Sequence, residues 1–161
     1  MKMQRTKIQR QARGLATSEE GSALAELAII LPMLCLLLVA LIEVGRFGYY
    51  SILVGNAARA GVQYGAQDVT TARDKAAMQS SALNDGQNVS GLSAVASYSC
   101  TCADGTTADC LTAAVCPNSH RILFVQVATA GTFPSLLNYP GLPDSLRSVT
   151  VNATATMRVS P

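Results

Sequence analysis

The chain has 161 residues, 49% of them apolar and 14% charged, with a formal net charge of +2. That length leaves room for one small domain and an anchor. The apolar share excludes an ordinary soluble domain unless the excess is local, and the single histidine, His120, excludes paired-histidine acid–base or metal chemistry.

The excess is local. Residues 1–21 come first, a Gln-rich and weakly periodic stretch with Lys2, Arg5, Lys7, Arg10 and Arg13 against Glu19 and Glu20. From Leu27 to Ile42 no residue is charged or strongly polar, and back to Ser22 only Glu26 interrupts the run. As a helix, those 21 residues are about 31 Å long, the thickness of a bilayer core. A basic flank beside a spanning segment stays in the cytoplasm. Residues 1–21 therefore read as a cytoplasmic leader rather than a nucleic-acid tail, and the C-terminal part faces the periplasm or beyond.

Residues 22–66 read as one long helix, with Pro32 expected to kink it. Glu26 is its costly residue, since a carboxylate in hydrocarbon is unfavourable by about 2.5–3.5 kcal/mol. Either it sits at headgroup depth, or a cation faces it. A chain cut after Gly21 would supply that cation, the ammonium of Ser22 on a neighbouring helix. Glu43 and Arg46 lie three apart and share a face at the outer membrane boundary. Tyr49 and Tyr50 follow as interfacial aromatics. Ala57, Gly61 and Gly65 form a stripe of small side chains that suits close helix packing, with another subunit or within the chain.

Beyond residue 66 the spacing predicts a second short helix, or a continuation of the first, over Thr70–Leu83, ended by Asp85-Gly86. The period then becomes two. Leu92, Ala94, Ala96, Tyr98, Cys100 and Cys102 share one face of a half-buried strand. Arg121–Thr129 is a second strand, and Val149–Val159, alternating with Thr150, Asn152, Thr154 and Thr156, a third. Pro134, Pro140, Gly141 and Pro143 mark the loop between the last two. Cys100, Cys102, Cys110 and Cys116 lie on the oxidising side, so disulfides are expected. A bridge between Cys100 and Cys102 would be strained, because the Cβ atoms of residues two apart on a strand rarely approach to about 3.8 Å. That leaves Cys100–Cys116 with Cys102–Cys110, or Cys100–Cys110 with Cys102–Cys116. Their spacing does not match the paired knuckles of a zinc site. Cys35 lies mid-membrane and reads as a small apolar residue.

Gly21 followed at the fifth position by Glu26 and an apolar helix resembles the processing site of type IV pilin-like proteins. The longer stretch GSALAELAIILPMLCLLLVALIEVGRFGYYSILVGNAARAGVQYGA resembles the TadE-like family of minor pseudopilins of the tight adherence (Tad) pilus system. The matching pieces are Glu26, Leu31-Pro32, Glu43-x-Gly45-Arg46, and Asn56-Ala57-Ala58-Arg59-x-Gly61 ahead of Tyr64. The resemblance implies a prepilin peptidase cut between Gly21 and Ser22. It implies residence in the bacterial inner membrane and passage into a pilus or secretion apparatus. Glu26 is then the residue that pairs with a neighbour's new N-terminus.

The expectation is thus an α+β chain in three parts: a leader (1–21), a transmembrane helix extending into the periplasm (22–66), and a small, strand-rich, disulfide-bearing head (67–161). Its expected role is structural and not enzymatic, a minor pseudopilin acting in pilus assembly, without cofactor, metal or nucleic acid. Its expected partners are other pilin or pseudopilin subunits, the prepilin peptidase and the inner membrane. The alternative is an uncleaved, single-pass membrane anchor carrying a periplasmic scaffold or binding protein. A conventional secretory signal fits less well, because the sixteen-residue apolar run exceeds the usual h-region.

Overall fold

A computed structural model describes residues 19–111, 116, 119–136 and 148–160. Residues 1–18 of the expected leader, and Pro140, Gly141 and Pro143 of the expected loop, lie outside the described residues. Helix α1 (Glu19–Gly65) is continuous over 47 residues and passes through Pro32. It ends at Gly65, a residue type that favours helix ends. The chain divides into two units between Val44 and Gly45.

In the first unit, the side chains from Ala23 to Val44 are exposed apart from half-buried Glu43. They are mostly Leu, Ile, Val and Ala, good helix formers or large apolar groups with no polar face. The helix is long and apolar enough to cross a membrane.

The second unit is a two-layer α+β head, with helices on one face of an antiparallel sheet. The strands are β1 (Ser93–Cys102), β2 (Thr107–Ala108), β3 (Arg121–Pro134) and β4 (Ser148–Arg158), in the order β2–β1–β3–β4. The end of α1 belongs to this unit. Tyr50, Val54, Ala57, Ala58, Val62 and Gly65 recur at helical spacing and are buried. Opposite them, Val125, Val127, Thr129, Gly131 and Phe133 alternate along β3 and are all buried. Two apolar clusters result. One gathers Val62, Met78, Ala82, Ala96, Val125 and Val127, and the other Tyr50, Val54, Val89, Phe133 and Val151. Buried Thr129 also bonds α1, its hydroxyl donating to the Val54 carbonyl at 2.9 Å.

The expected second helix is two helices, α2 (Val69–Arg73) and α3 (Lys75–Asp85). Two aspartates cause the break. Asp68 caps α2 by accepting from the Thr70 and Thr71 N–H groups at 2.6 and 2.8 Å. Asp74 starts α3 by accepting from the Ala77 N–H at 2.9 Å. The Asp85-Gly86 stop holds, with the Gly86 N–H donating to the Ala82 carbonyl at 3.0 Å.

β3 is longer than the sequence suggested. It continues through Ala130, Gly131 and Thr132 to Pro134, because β4 pairs with it from Phe124↔Arg158 to Pro134↔Ser148. Pro134 therefore ends a strand instead of marking a loop. Gly131 is required there: a Cβ would fall 2.5 Å from Val89 Cγ1, 3.2 Å from Val54 Cγ2 and 3.3 Å from Tyr50 Oη. Strand β2 was not anticipated. Its signal is Asp104-Gly105 after the first strand, where Gly105 takes φ of 88° and the Asp104 carboxylate accepts from the Thr106 N–H and hydroxyl.

Candidate functional site

The residues singled out in the sequence fall into three groups. The first is the start of α1. Gly21 and Ser22 are helical, and Glu26 is exposed. The described part of helix α1 opens at Glu19, so in the whole chain Glu26 stands at least about two turns inside it. The helix dipole acts mainly over the first turn. It therefore gives the Glu26 carboxylate little support unless the helix start moves closer. Among the described residues, every apolar side chain from Ala23 to Ile42 is exposed. Such a surface is compatible with a single-pass membrane anchor.

The second group is the turn after the apolar run. Glu43 and Arg46 are half-buried. The Arg46 guanidinium lies 5.4 Å from the Phe133 ring centroid and donates to the Pro134 carbonyl at 3.4 Å. Phe47 and Tyr50 both meet the Phe133 ring edge-on at 5.5 Å. Tyr49 is exposed, as an interfacial aromatic would be, but Tyr50 is not. Its hydroxyl lies 2.7 Å from the Thr132 carbonyl and 3.0 Å from the Ser90 carbonyl. Tyr50 is therefore a core anchor of the head. The signal was its spacing with Val54, Ala57 and Gly61, a helical stripe that starts at Tyr50.

The third group is the small-residue stripe and the cysteines. Ala57, Gly61 and Gly65 are buried within the chain. A Cβ at Gly61 would sit 2.9 Å from the Met78 carbonyl oxygen and 3.0 Å from Val127 Cγ2, and one at Gly65 would collide with Met78. These glycines let α1 approach α3 and the sheet. Cys100 pairs with Cys110 and Cys102 with Cys116, with Cα separations of 5.3 and 5.7 Å. This is one of the two connectivities the spacing left open. Cys100 and Cys102 are buried on the inner face of β1, and their partners follow β2 in the sequence. His120 is exposed, and its carbonyl accepts from the Ala103 N–H at 3.0 Å. Among the described residues, no group of three or more His, Cys, Asp or Glu is placed to hold a metal ion.

No curated protein and no solved structure matches the chain. Residues 21–63 match the model of the family described as TadE-like protein. That match stops at Gln63 and leaves the rest of the head beyond it, so the likeness to the TadE-like family lies in the helical segment from Gly21 to Gln63.

Proposed function

We propose that this chain is a structural minor pseudopilin of a Tad-type pilus or a related secretion apparatus. A prepilin peptidase removes the basic leader between Gly21 and Ser22. The freed apolar helix then packs beside those of other pilin or pseudopilin subunits, with Glu26 facing a neighbour's new ammonium. The observation that carries the reading is the TadE-like match, which opens at Gly21 and runs through the apolar helix. The uncovered apolar surface from Ala23 to Val44 supports it, since a helix of this kind serves equally in a bilayer and in a bundle of like helices. Two disulfides in the head support an oxidising compartment on the far side of the inner membrane, with the leader in the cytoplasm.

N-terminal sequencing of protein extracted from membranes tests the proposal. A mature chain starting at Ser22 is expected, and Gly21→Val should abolish that start. An intact Met1 in assembled material would replace this reading with an uncleaved anchor carrying a periplasmic scaffold.

A further inference from the structure

Among the described residues, the sheet of the head is open at both edges. β4 lies at one edge along its whole length. At the other, β2 covers only Cys100 and Thr101 of β1, so Ser93–Ser99 is also an edge. The hydrogen-bond phase shows which groups are left over. The Val159 N–H donates to Leu123 at 2.9 Å, so the odd residues of β4 face β3 and the backbone groups of Thr150, Asn152, Thr154 and Thr156 face outward. The Ala103 N–H donates to His120 and the Cys102 N–H to Thr106, so the outward groups of β1 belong to Ala94, Ala96 and Tyr98. None of these outward groups has a hydrogen-bond partner among the described residues.

Neither strand defends its edge with its own residues, and among the described residues the charge beside these edges is the Lys75 ammonium, 5.0 Å over the Tyr98 ring. Folded proteins blunt long edges with charge, proline or bulges. From Ser148 to Met157, and from Ser93 to Ser99, there is neither a charge nor a proline. Val149 and Met157, on the inner face of β4, remain 41% and 39% exposed, as they would if a further strand belonged beside them.

The polarity of the sheet decides what fits. Within the head, α1 runs from Tyr50 beside Thr132 to Gly61 beside Val127, antiparallel to β3. Two copies joined β4 to β4 about a two-fold axis would receive their chains from opposite ends, which two chains anchored in one membrane cannot do. β4 and β1 run in the same direction, because each is antiparallel to β3. A copy standing the same way up can therefore lay its β1 edge parallel to β4. Residues of β1 such as Ala96 would then stand opposite odd residues of β4 such as Ala153, keeping the helices on one face.

We infer that heads of neighbouring copies join edge to edge, β4 of one to the Ser93–Ser99 edge of the next, in a parallel and head-to-tail array. The contact is heterologous and propagates instead of closing as a dimer. It rests on the proposed assembly of like-oriented subunits and adds a second, periplasmic contact to the one between helices.

The test is site-specific photocross-linking of the full chain in its native membrane, with a benzophenone side chain at position 154 and, separately, at position 36 of the apolar helix. The expected result is a dimer from position 154 whose cross-link maps to residues 93–99 of the second copy. Thr154→Lys and Thr154→Pro, paired with a probe at position 152, should each reduce that product at least tenfold. The Thr154 N–H points away from β3, so the proline removes no bond of the existing sheet. Cross-links from position 36 without any from 154 to β1, an unaffected yield in the lysine variant, or a product joining β4 to β4 would each overturn the edge contact while leaving subunit assembly standing. An absence of cross-links from both positions would overturn the assembly itself.

Discussion

Two glycines of α1 should respond to the same substitution with opposite signs. At Gly55 an added Cβ meets nothing within 4 Å, whereas at Gly61 it would lie 2.9 Å from the Met78 carbonyl oxygen and 3.0 and 3.1 Å from the Val127 methyls. Alanine is favoured over glycine in a helix by about 1 kcal/mol, and Gly55→Ala should gain most of that. Gly61→Ala gains the same propensity but forces a backbone carbonyl and a fully buried valine to move, and overpacking of this kind costs about 1–3 kcal/mol. The two variants should therefore differ by about 1–3 kcal/mol, with Gly61→Ala the less stable. For a domain near 100 residues each kcal/mol moves the thermal midpoint by roughly 4 °C. Thermal unfolding of the detergent-solubilised full chain, followed by the circular dichroism of the sheet, measures the difference. Equal midpoints, or a Gly61→Ala chain more stable than Gly55→Ala, would refute the packing of α1 on α3 and β3.

The disulfides close loops with sequence separations of 10 and 14 residues, for which chain entropy gives about 3 kcal/mol each. Replacing Cys102 and Cys116 by serine should lower stability by about that amount, and reduction of the native head should add four protons to its mass. Hydrogen bonds from the Thr71 and Thr70 N–H groups hold the Asp68 carboxyl below its usual value. Its folded value lies under its unfolded one, so its contribution is present above about pH 4 and is lost as the pH falls through the folded value. Asp68→Asn should therefore flatten the acid limb of a stability–pH curve, and an unchanged limb would remove Asp68 as a cap. Tyr50→Phe should cost about 1 kcal/mol in the same unfolding assay, by removing the hydroxyl that lies 2.7 Å from the Thr132 carbonyl, while the Ser90 carbonyl keeps the Thr132 N–H.

The fold was legible wherever one period dominated. The apolar run and the alternations of β1 and β4 each have a single physical reading. Legibility failed where a residue serves a purpose outside its own element. Ala130-Gly131 lowers strand propensity, yet Gly131 is what admits Tyr50, Val54 and Val89 to the sheet. Asp74 looks like a polar position within a helix until its carboxylate is seen capping the next one. Tyr50 follows an apolar run, as an interfacial aromatic does, and only Phe133, 83 positions further on, shows why it turns inward. At the candidate site, the apolar length and the odd carboxylate were legible as physics. The expectation of a cut at Gly21 came from the resemblance alone, because no folding requirement fixes the spacing of Gly21 and Glu26.

Cleavage would change the electrostatics of the helix start more than its length suggests. The whole chain brings Glu19, Glu20 and Glu26 into the first turns of α1. All three are carboxylates, and none lies in the basic part of the leader. A cut after Gly21 removes two of them, adds the Ser22 ammonium and brings the start of the helix within four residues of Glu26. The local charge then moves from three negative charges to a balanced pair. Only in the processed chain does the dipole contribute its 0.3–1 kcal/mol or so to the remaining carboxylate. Were Glu26 to lie in hydrocarbon, a fixed cation would have to offset the rest of its roughly 3 kcal/mol cost, and in the proposed assembly a neighbour's ammonium would be that cation. Glu26→Ala should thus insert as well as the wild type or better, since it carries no such cost, and yet fail to enter assemblies. Fractionation scores insertion, and recovery in sheared fibres scores assembly. Equal recovery of the alanine variant would show that the pairing does not hold the helices together.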